Sequence, residues 1–203
     1  MVENDKQTEE KIFESATAVF IEKGMDGARM QDIANHAGIN KSLLHYYYRT
    51  KERLFNAVFE KITGQLFRRF APVMDENLSL EEKIRFFFRE HITFLQKNPR
   101  LPSFFLNELN RNPAMIKKFI RQLDVHKLWA TLEDQHKEEL KKYNITRENV
   151  PQFMTSIAAM SVFPFAGRAL IASIMEKMGY EFDDYIEQRK EYAAEFVINA
   201  IKK

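Results

Sequence analysis

Three apolar helical patterns separated by glycine-bearing turns occupy the first fifty residues, and they constrain the fold more than any other feature. In residues 8–23 apolar side chains recur at helical spacing, and Gly24 follows as a stop signal. A second, shorter pattern covers residues 30–37 and ends at Gly38. Only the tripeptide GIN separates it from a third pattern. Two short helices joined by such a turn predict a helix-turn-helix motif.

The third helix, predicted over residues 41–48, divides into a core face and an exposed face. Asn40 precedes it as an N-cap, and Ile39 and Leu44 occupy the positions of a hydrophobic staple. At 100° per residue Leu44 and Tyr48 share the core face. The opposite face and its flanks carry the remaining side chains, Lys41, Ser42, Leu43, His45, Tyr46 and Tyr47. Exposed tyrosines contribute little to folding, whereas their hydroxyls suit phosphate oxygens and their rings suit thymine methyl groups, so we predict DNA contacts.

The charge around this helix supports the same prediction. The whole chain carries a formal charge of only +2, so any electrostatic attraction to nucleic acid must be local. Residues 29–53 hold five lysines and arginines but only two acidic residues. Arg29, at the start of the second helix, opposes the helix dipole, and we expect it to reach a backbone phosphate rather than remain a solvated surface group.

The stretch DIANHAGINKSLLHYYYRTKERLF, residues 32–55, resembles the N-terminal DNA-binding domain of the TetR family of bacterial transcription regulators. The resemblance combines an Asp-Ile-Ala triplet from Asp32, Ala-Gly at the turn, the pair Leu44 and Tyr48, and a Lys-Glu-x-Leu sequence that opens a fourth helix at Lys51. It covers roughly residues 8–59.

The resemblance implies a homodimer whose two third helices enter successive major grooves of a pseudo-palindromic operator, with Lys51 gripping a phosphate. A helix of eight residues is only about 12 Å long, so one copy reads few base pairs and a two-fold dimer doubles the contacts. The predicted DNA-binding residues are Arg29, Lys41, Ser42, Leu43, His45, Tyr46, Tyr47 and Lys51. The last two helices resemble the two that the family contributes to a four-helix dimer interface.

The remaining chain also reads as helical, so the predicted fold is all-α. An N-terminal helix-turn-helix domain (residues 1–50) is followed by a connecting helix (51–72) and a larger helical domain (73–203) that binds ligand and dimerises. Ser79 and Glu82 form a capping box for a fifth helix. Further helices are predicted to begin near Pro102, Pro113, Pro151 and Asp183, and Gly179 closes the penultimate one.

The aromatic residues of the larger domain have two interpretations. They line a ligand pocket, or they fill a core. His91 lies within an apolar stripe of the fifth helix. It is either a core histidine whose ring makes one hydrogen bond or a polar group inside a ligand pocket. The candidate ligand residues are Phe88, His91, Phe105, Asn107, Trp129, Phe163 and Arg168. Pro164 should kink its helix and free a carbonyl.

Composition excludes several classes of site and of protein. The chain has no cysteine, which rules out disulfides and thiolate chemistry and suits a reducing cytoplasm. The polar start of the chain lacks the apolar core of a signal peptide, so a cytoplasmic location is expected. The charge-free run over residues 150–167 is expected to be a buried helix at a core or subunit interface rather than a membrane span. We predict neither cofactor nor metal.

An enzyme is disfavoured because a Gly-rich phosphate loop, an HExxH pair and a serine nucleophile elbow are all missing. Glu133 and His136 form one Glu-x-x-His pair, but helical di-iron sites need two, so we interpret it as surface charge on a long helix. We therefore predict a ligand-responsive DNA-binding regulator, a repressor released from its operator by a small apolar or aromatic effector. The alternative is a helical ligand-binding or scaffold protein without sequence-specific DNA binding.

Overall fold

The computed structural model describes residues 2–74 and 77–202, and within these ranges the regular structure is entirely helical. The twelve α-helices of the described chain are α1 (Val2–Gly27), α2 (Met30–Ala37), α3 (Lys41–Tyr47), α4 (Lys51–Phe70), α5 (Leu80–Lys97), α6 (Leu101–Arg111), α7 (Pro113–Leu123), α8 (Val125–Gln135), α9 (Lys137–Lys142), α10 (Val150–Ala166), α11 (Arg168–Lys177) and α12 (Phe182–Ile201). A short 3-10 helix covers Ala71–Met74. The prediction of an all-α fold with an N-terminal helix-turn-helix and a larger C-terminal helical part is confirmed.

The chain divides into two compact units. The N-terminal unit consists of Met1–Leu66 and Phe104–Met115, and the C-terminal unit consists of Phe67–Ser103 and Ile116–Lys203. Most of α4 therefore packs within the N-terminal unit, together with most of α6. The domain boundaries drawn from the sequence at residues 50 and 72 stay a prediction.

The N-terminal unit has a continuous apolar core. Its fully buried large side chains lie on α1, α2, α3 and α4, and they are Phe20, Phe55, Phe59, Ile12, Ile33, Leu44, Leu54 and Val58. The rings of Phe20 and Phe55 meet edge to face with centroids 4.9 Å apart. Burying each such side chain contributes about 1.5–3 kcal/mol, so this core holds α2 and α3 in a defined orientation.

The turn between α2 and α3 contains the glycine and the N-cap residue that the sequence predicts there. Gly38 adopts the left-handed conformation at φ 63° and ψ 34°, which a residue with a Cβ rarely tolerates. The Asn40 side chain accepts a hydrogen bond from the Leu43 amide at 2.7 Å, as an N-cap does. The capping box of Ser79 and Glu82 is also present at the start of α5. Tyr48 has extended backbone angles, so α3 ends one residue earlier than predicted.

Helix α1 is longer than predicted and contains a kink. It begins at Val2 rather than at residue 8, and it continues past the predicted stop with Gly24 in a left-handed conformation at φ 67°. The Met25 amide after the kink donates a hydrogen bond to Glu108 Oε1 at 2.9 Å. Glu108 lies on α6 and is only 6% exposed. A buried carboxylate of the N-terminal unit thus satisfies a backbone amide that the kink releases from the helix.

We expect Glu108→Ala to destabilise the N-terminal unit by about 1.5–3 kcal/mol, because the Met25 amide loses a charged acceptor. Glu108→Gln should retain most of the stability, since its amide oxygen also accepts. Hydrogen exchange at the Met25 amide and denaturant unfolding measure the effect. Asn110→Ala is the control, because Asn110 is exposed on the same helix. Unchanged exchange at Met25 in Glu108→Ala would contradict this role.

In the C-terminal unit, α5 packs mainly against α12 and also against α10. Pro164 cannot donate to the Met160 carbonyl, and Arg189 Nε of α12 donates to that oxygen instead at 3.3 Å. The prediction of a freed carbonyl is therefore confirmed, although the sharp bend lies farther on. The chain turns by 77° between α10 and α11.

Among the described residues no single helix is both long and apolar enough to cross a membrane, and only the bent pair of α10 and α11 reaches that length.

The segment between Pro113 and Pro151 contains more helices than predicted. Asp124 caps α8 through its side chain, which accepts from the Lys127 amide at 3.3 Å. The helix then ends at His136, and α9 begins at the next residue. The prediction that Glu133 and His136 are both surface groups on one long helix is wrong for His136, which is 5% exposed. Spacing alone could not reveal this break, because the residues around it have strong helix propensity.

Candidate nucleic-acid interface

Helix α3 presents a polar and aromatic face outward. Leu44 is completely buried on the inner side, whereas Tyr46 is 80% exposed. Lys41, Ser42 and His45 are also exposed, and Leu43 is half-buried. The split between core and surface follows the helical spacing read from the sequence. The assignment of these residues to DNA contacts stays a prediction.

Tyr47 and Tyr48 are tied to α1. The Tyr47 hydroxyl donates to Asp5 Oδ1 at 3.1 Å, and partial desolvation together with this carboxylate raises the pKa of Tyr47. The Tyr48 hydroxyl donates to Glu9 Oε1 at 3.3 Å. Burial, and then the charge of Glu9, raise the pKa of Tyr48 to about 12. Sequence reasoning missed Asp5 and Glu9, because no local pattern relates them to α3.

Lys51 holds the turn that follows α1. Its ammonium group donates to the carbonyl oxygens of Asp26 at 3.3 Å and Ala28 at 3.1 Å. A cation near these carbonyls also opposes the negative end of the α1 dipole. A phosphate that contacts Lys51 would therefore compete with these two carbonyl oxygens for the N–H donors of the ammonium group. The side chain is half-buried, so an edge of it remains accessible.

Arg29 and Lys41 are the two cations, among the predicted DNA-binding residues, that remain available to DNA. Arg29 occupies the N-cap position of α2 with an exposed side chain that does not cap the helix. Within the described ranges neither the Arg29 guanidinium nor the Lys41 ammonium forms an ion pair. By contrast, Lys23 is bound to Asp32 at 2.8 Å, and this hydrogen bond lowers the pKa of Asp32. Arg29 and Lys41 are thus available to an anionic partner.

A family profile described as "Bacterial regulatory proteins, tetR family" matches residues 12–58, which run from α1 into α4. These are the helices whose sequence carries the resemblance. The N-terminal helices of the chain are similar to the TetR family. The observed helix-turn-helix, with its Gly38 turn and Asn40 cap, is the part of the TetR-family fold that the profile covers.

Two curated relatives match part of the chain. The chain is 30% identical over 80 residues to the biofilm operon icaADBC HTH-type negative transcriptional regulator IcaR of Staphylococcus epidermidis, a match covering 39% of this chain and 43% of the relative. It is 46% identical over 54 residues to the HTH-type transcriptional repressor SCO4008 of Streptomyces coelicolor, covering 27% of this chain and 28% of the relative. The chain thus spans less than half the length of each of these two proteins.

The whole-chain fold is similar to that of a solved transcriptional regulator. The transcriptional regulator FadR from Bacillus subtilis, in complex with stearoyl-CoA, superposes with a TM-score of 0.62 over 89% of this chain and 95% of that chain. The sequence identity is 18%, so the similarity establishes the shared fold. It extends beyond the helix-turn-helix to the C-terminal helices.

Two of the predicted ligand residues lie together on α5. Phe88 is fully buried, and His91 is 9% exposed. The His91 Nδ1 atom lies 2.9 Å from Ser161 Oγ on α10. Burial lowers the pKa of His91 to about 4. His91 is therefore a neutral, hydrogen-bonded histidine near neutral pH.

The other predicted ligand residues are dispersed. Phe105 and Asn107 belong to the N-terminal unit, where the Phe105 ring packs 4.8 Å from Phe59 and Asn107 is exposed. In the C-terminal unit Trp129 is buried, Phe163 is 54% exposed, and Arg168 is exposed over the Phe182 ring. Their assignment to ligand binding stays a prediction. In the described part of the chain, no group of three or more His, Cys, Asp or Glu residues is arranged to hold a metal ion.

The pKa of His91 predicts a pH dependence of stability. Between pH 6.5 and about 4 the unfolded chain binds a proton at this residue and the folded chain does not, so the free energy of unfolding falls as the pH drops. The contribution of His91 amounts to about 3 kcal/mol by pH 4. Unfolding by denaturant across this range measures it. His91→Gln, which can still bond to Ser161, should flatten the dependence, and an equally steep profile in that variant would contradict it.

Proposed function

We propose that this chain is a ligand-responsive DNA-binding transcription repressor that acts as a homodimer in the cytoplasm. The observation that carries the proposal is the outer face of α3, where Tyr46 is 80% exposed above a fully buried Leu44. A large aromatic side chain held in solvent on a short helix next to free cations suits a DNA groove. The proposed contact residues are those predicted from the sequence.

The names of the relatives favour repression over activation and over catalysis. IcaR is named a negative transcriptional regulator, and SCO4008 is named a transcriptional repressor. We extend that activity to this chain as a proposal, because each match covers less than half of the relative.

An apolar surface on the last two helices supports dimerisation. Five large side chains on α11, at its C-cap or on α12 are between 41% and 62% exposed, namely Leu170, Ile174, Met178, Tyr192 and Phe196. We call them the α11–α12 apolar surface. On the other side of α12, Ala193 and Val197 are buried within the subunit. A helix that is apolar on two sides needs a second partner, and we propose that another copy of this chain supplies it.

The proposed effector is a small, largely apolar molecule that binds in the C-terminal unit. FadR, which shares the fold, is described in complex with stearoyl-CoA. Helix α4 carries the chain from the N-terminal unit into the C-terminal unit. We propose that an effector favours a conformation in which α4 is tilted, so that the two α3 helices no longer match successive grooves and operator affinity drops.

A gel shift at several salt concentrations tests the proposal. Genomic fragments retained by the protein serve as probe, and binding should weaken by about three to five orders of magnitude between 50 and 200 mM salt if six to ten phosphates are contacted. Changing Lys41, Tyr46 and Lys51 to alanine together should abolish the shift. Binding that is absent at low salt would favour the alternative, a helical ligand-binding or scaffold protein.

Once an effector is found, its affinity measured with and without operator tests the coupling. Linkage requires operator DNA to weaken effector binding by the factor by which the effector weakens operator binding. Equal effector affinities in the two conditions would rule out release from DNA as the response.

A further inference from the structure

The first turns of α1 present two carboxylates to the end of α3. Asp5 and Glu9 are four residues apart, so they lie on the same side of α1. The Tyr47 hydroxyl donates to Asp5 Oδ1 at 3.1 Å, and the Tyr48 hydroxyl donates to Glu9 Oε1 at 3.3 Å. All four residues belong to the N-terminal unit. The part of α1 before residue 8, which the sequence did not predict to be helical, supplies one of the two acceptors.

The hydroxyl group of Tyr47 is engaged by α1. A tyrosine hydroxyl has one proton to donate, and Asp5 accepts it. The Thr8 side chain hydrogen-bonds to Tyr47 too. A DNA phosphate at this hydroxyl would lie beside the negative carboxylate of Asp5. A phosphate contact would therefore require the bond to Asp5 to break, and the bond as it stands gives the Tyr47 hydroxyl a different role.

The ring of Tyr47 supports the ring of Tyr46. Their centroids are 5.5 Å apart and their planes meet at 88°, an edge-to-face arrangement that aromatic pairs prefer. Tyr46 is 80% exposed, so the protein covers little of its surface. Tyr47 is half-buried and is held at its hydroxyl end by Asp5. A hydrogen bond at one end of Tyr47 thus limits the motion of a neighbouring ring that faces solvent.

We propose that Asp5 strengthens the preference of this chain for its operator without touching DNA, because it anchors Tyr47, whose ring orients Tyr46 toward the base edges. Asp5 and Tyr47 are positioning residues, and Tyr46 makes the contact. The inference rests on the proposed function and assigns part of base recognition to the start of α1. A ring that is free to rotate must be ordered when operator DNA binds, which weakens the specific complex. Nonspecific binding depends on phosphate contacts and does not need this order.

Three variants separate the hydrogen bond from the charge. Asp5→Ala and Asp5→Asn both remove the negative charge, so any change in repulsion from DNA is the same in the two. Asparagine retains a carbonyl oxygen that accepts from Tyr47, and alanine does not. Tyr47→Phe removes the hydroxyl, and with it the bonds to Asp5 and Thr8, but keeps the ring. Glu10→Ala is the control, because Glu10 is an exposed carboxylate of the same helix that pairs with Lys61 instead.

The measured quantity is the ratio of two affinities at one salt concentration, that for a genomic fragment retained by the protein and that for unrelated DNA of equal length. We expect Asp5→Ala and Tyr47→Phe to lower this ratio about tenfold, because both Tyr46 rings of the proposed dimer lose their support. Asp5→Asn and Glu10→Ala should keep the ratio of the natural chain. Equal ratios in Asp5→Ala and Asp5→Asn would overturn the proposal.

Nuclear magnetic resonance of the free protein with labelled tyrosine detects the ring arrangement without DNA. Two rings that meet edge to face shift each other's proton resonances. Asp5→Ala should therefore move the Tyr46 ring signals toward those of a solvated tyrosine, whereas Asp5→Asn should leave them in place. Tyr46 ring signals that do not change in Asp5→Ala would also overturn the proposal.

The DNA measurement distinguishes this inference from the proposed function. If the natural chain prefers the retained fragment but the ratio does not depend on the bond to Asp5, the inference fails and the regulator remains. If the natural chain binds no DNA at low salt, the proposed function fails, and the role of Asp5 in recognition fails with it.

Discussion

Tyr46→Ala is expected to fold like the natural chain and to bind operator DNA at least about 30-fold more weakly. The side chain is 80% exposed, so its removal costs the fold little. Each good base contact contributes about 1–3 kcal/mol of discrimination, and a dimer loses two copies of Tyr46 at once. Fluorescence anisotropy with a labelled operator duplex measures the affinity, and circular dichroism verifies the helix content.

The control for this variant is Ile116→Ala. Ile116 is 39% exposed, it belongs to the C-terminal unit, and it lies outside both the proposed DNA-binding set and the α11–α12 apolar surface. Its variant should bind the operator as the natural chain does. If Tyr46→Ala also binds with full affinity while remaining a dimer, recognition does not depend on the outer face of α3 as proposed.

Phe196→Glu is expected to convert the proposed dimer to a monomer and to lower operator affinity by at least about two orders of magnitude. Phe196 is 56% exposed in the α11–α12 apolar surface, where its ring stacks with Tyr192 at a centroid distance of 6.3 Å. In a two-fold interface the introduced carboxylate would face either the same carboxylate of the other subunit or an apolar surface. Burying a charge in either environment is costly. A single α3 reads too few base pairs for tight binding, so loss of the dimer should largely abolish the gel shift.

Sedimentation equilibrium measures the oligomeric state, with Ile120→Glu as the control. Ile120 is an apolar residue on α7 of the same unit, is 48% exposed, and is not part of the α11–α12 apolar surface. Its variant should remain a dimer. A dimer that persists in Phe196→Glu would show that two copies associate through another face, or that this surface has a different partner.

Local features of the site could be predicted because they depend on neighbouring residues. The left-handed Gly38, the Asn40 cap and the outward position of Tyr46 all follow from spacing and backbone preferences within about ten residues. The carbonyl oxygen freed by Pro164 could also be predicted from the local sequence, because proline lacks the amide hydrogen that would bond to it. Its new donor, Arg189, did not follow from the local sequence.

Contacts between distant residues escaped prediction. The bond from Tyr47 to Asp5 joins residues 42 positions apart, and the bond from Met25 to Glu108 joins residues 83 positions apart. Sequence patterns carry no signal for such pairs, because many acidic residues share the same local environment. His136 shows the same limit, since its burial depends on a helix break that periodicity does not reveal.

The sequence by itself determined the all-helical class, the helix-turn-helix and the division of α3 into an inner and an outer face. These follow from helical periodicity, turn residues and capping groups, which act over one or two turns of chain. The tertiary structure alone decided which polar groups are committed and which are free. It committed Lys51 to the turn after α1 and, among the residues that the structure describes, left Nε2 of His136 unpaired, because hydrogen-bond partners are set by how distant helices pack together.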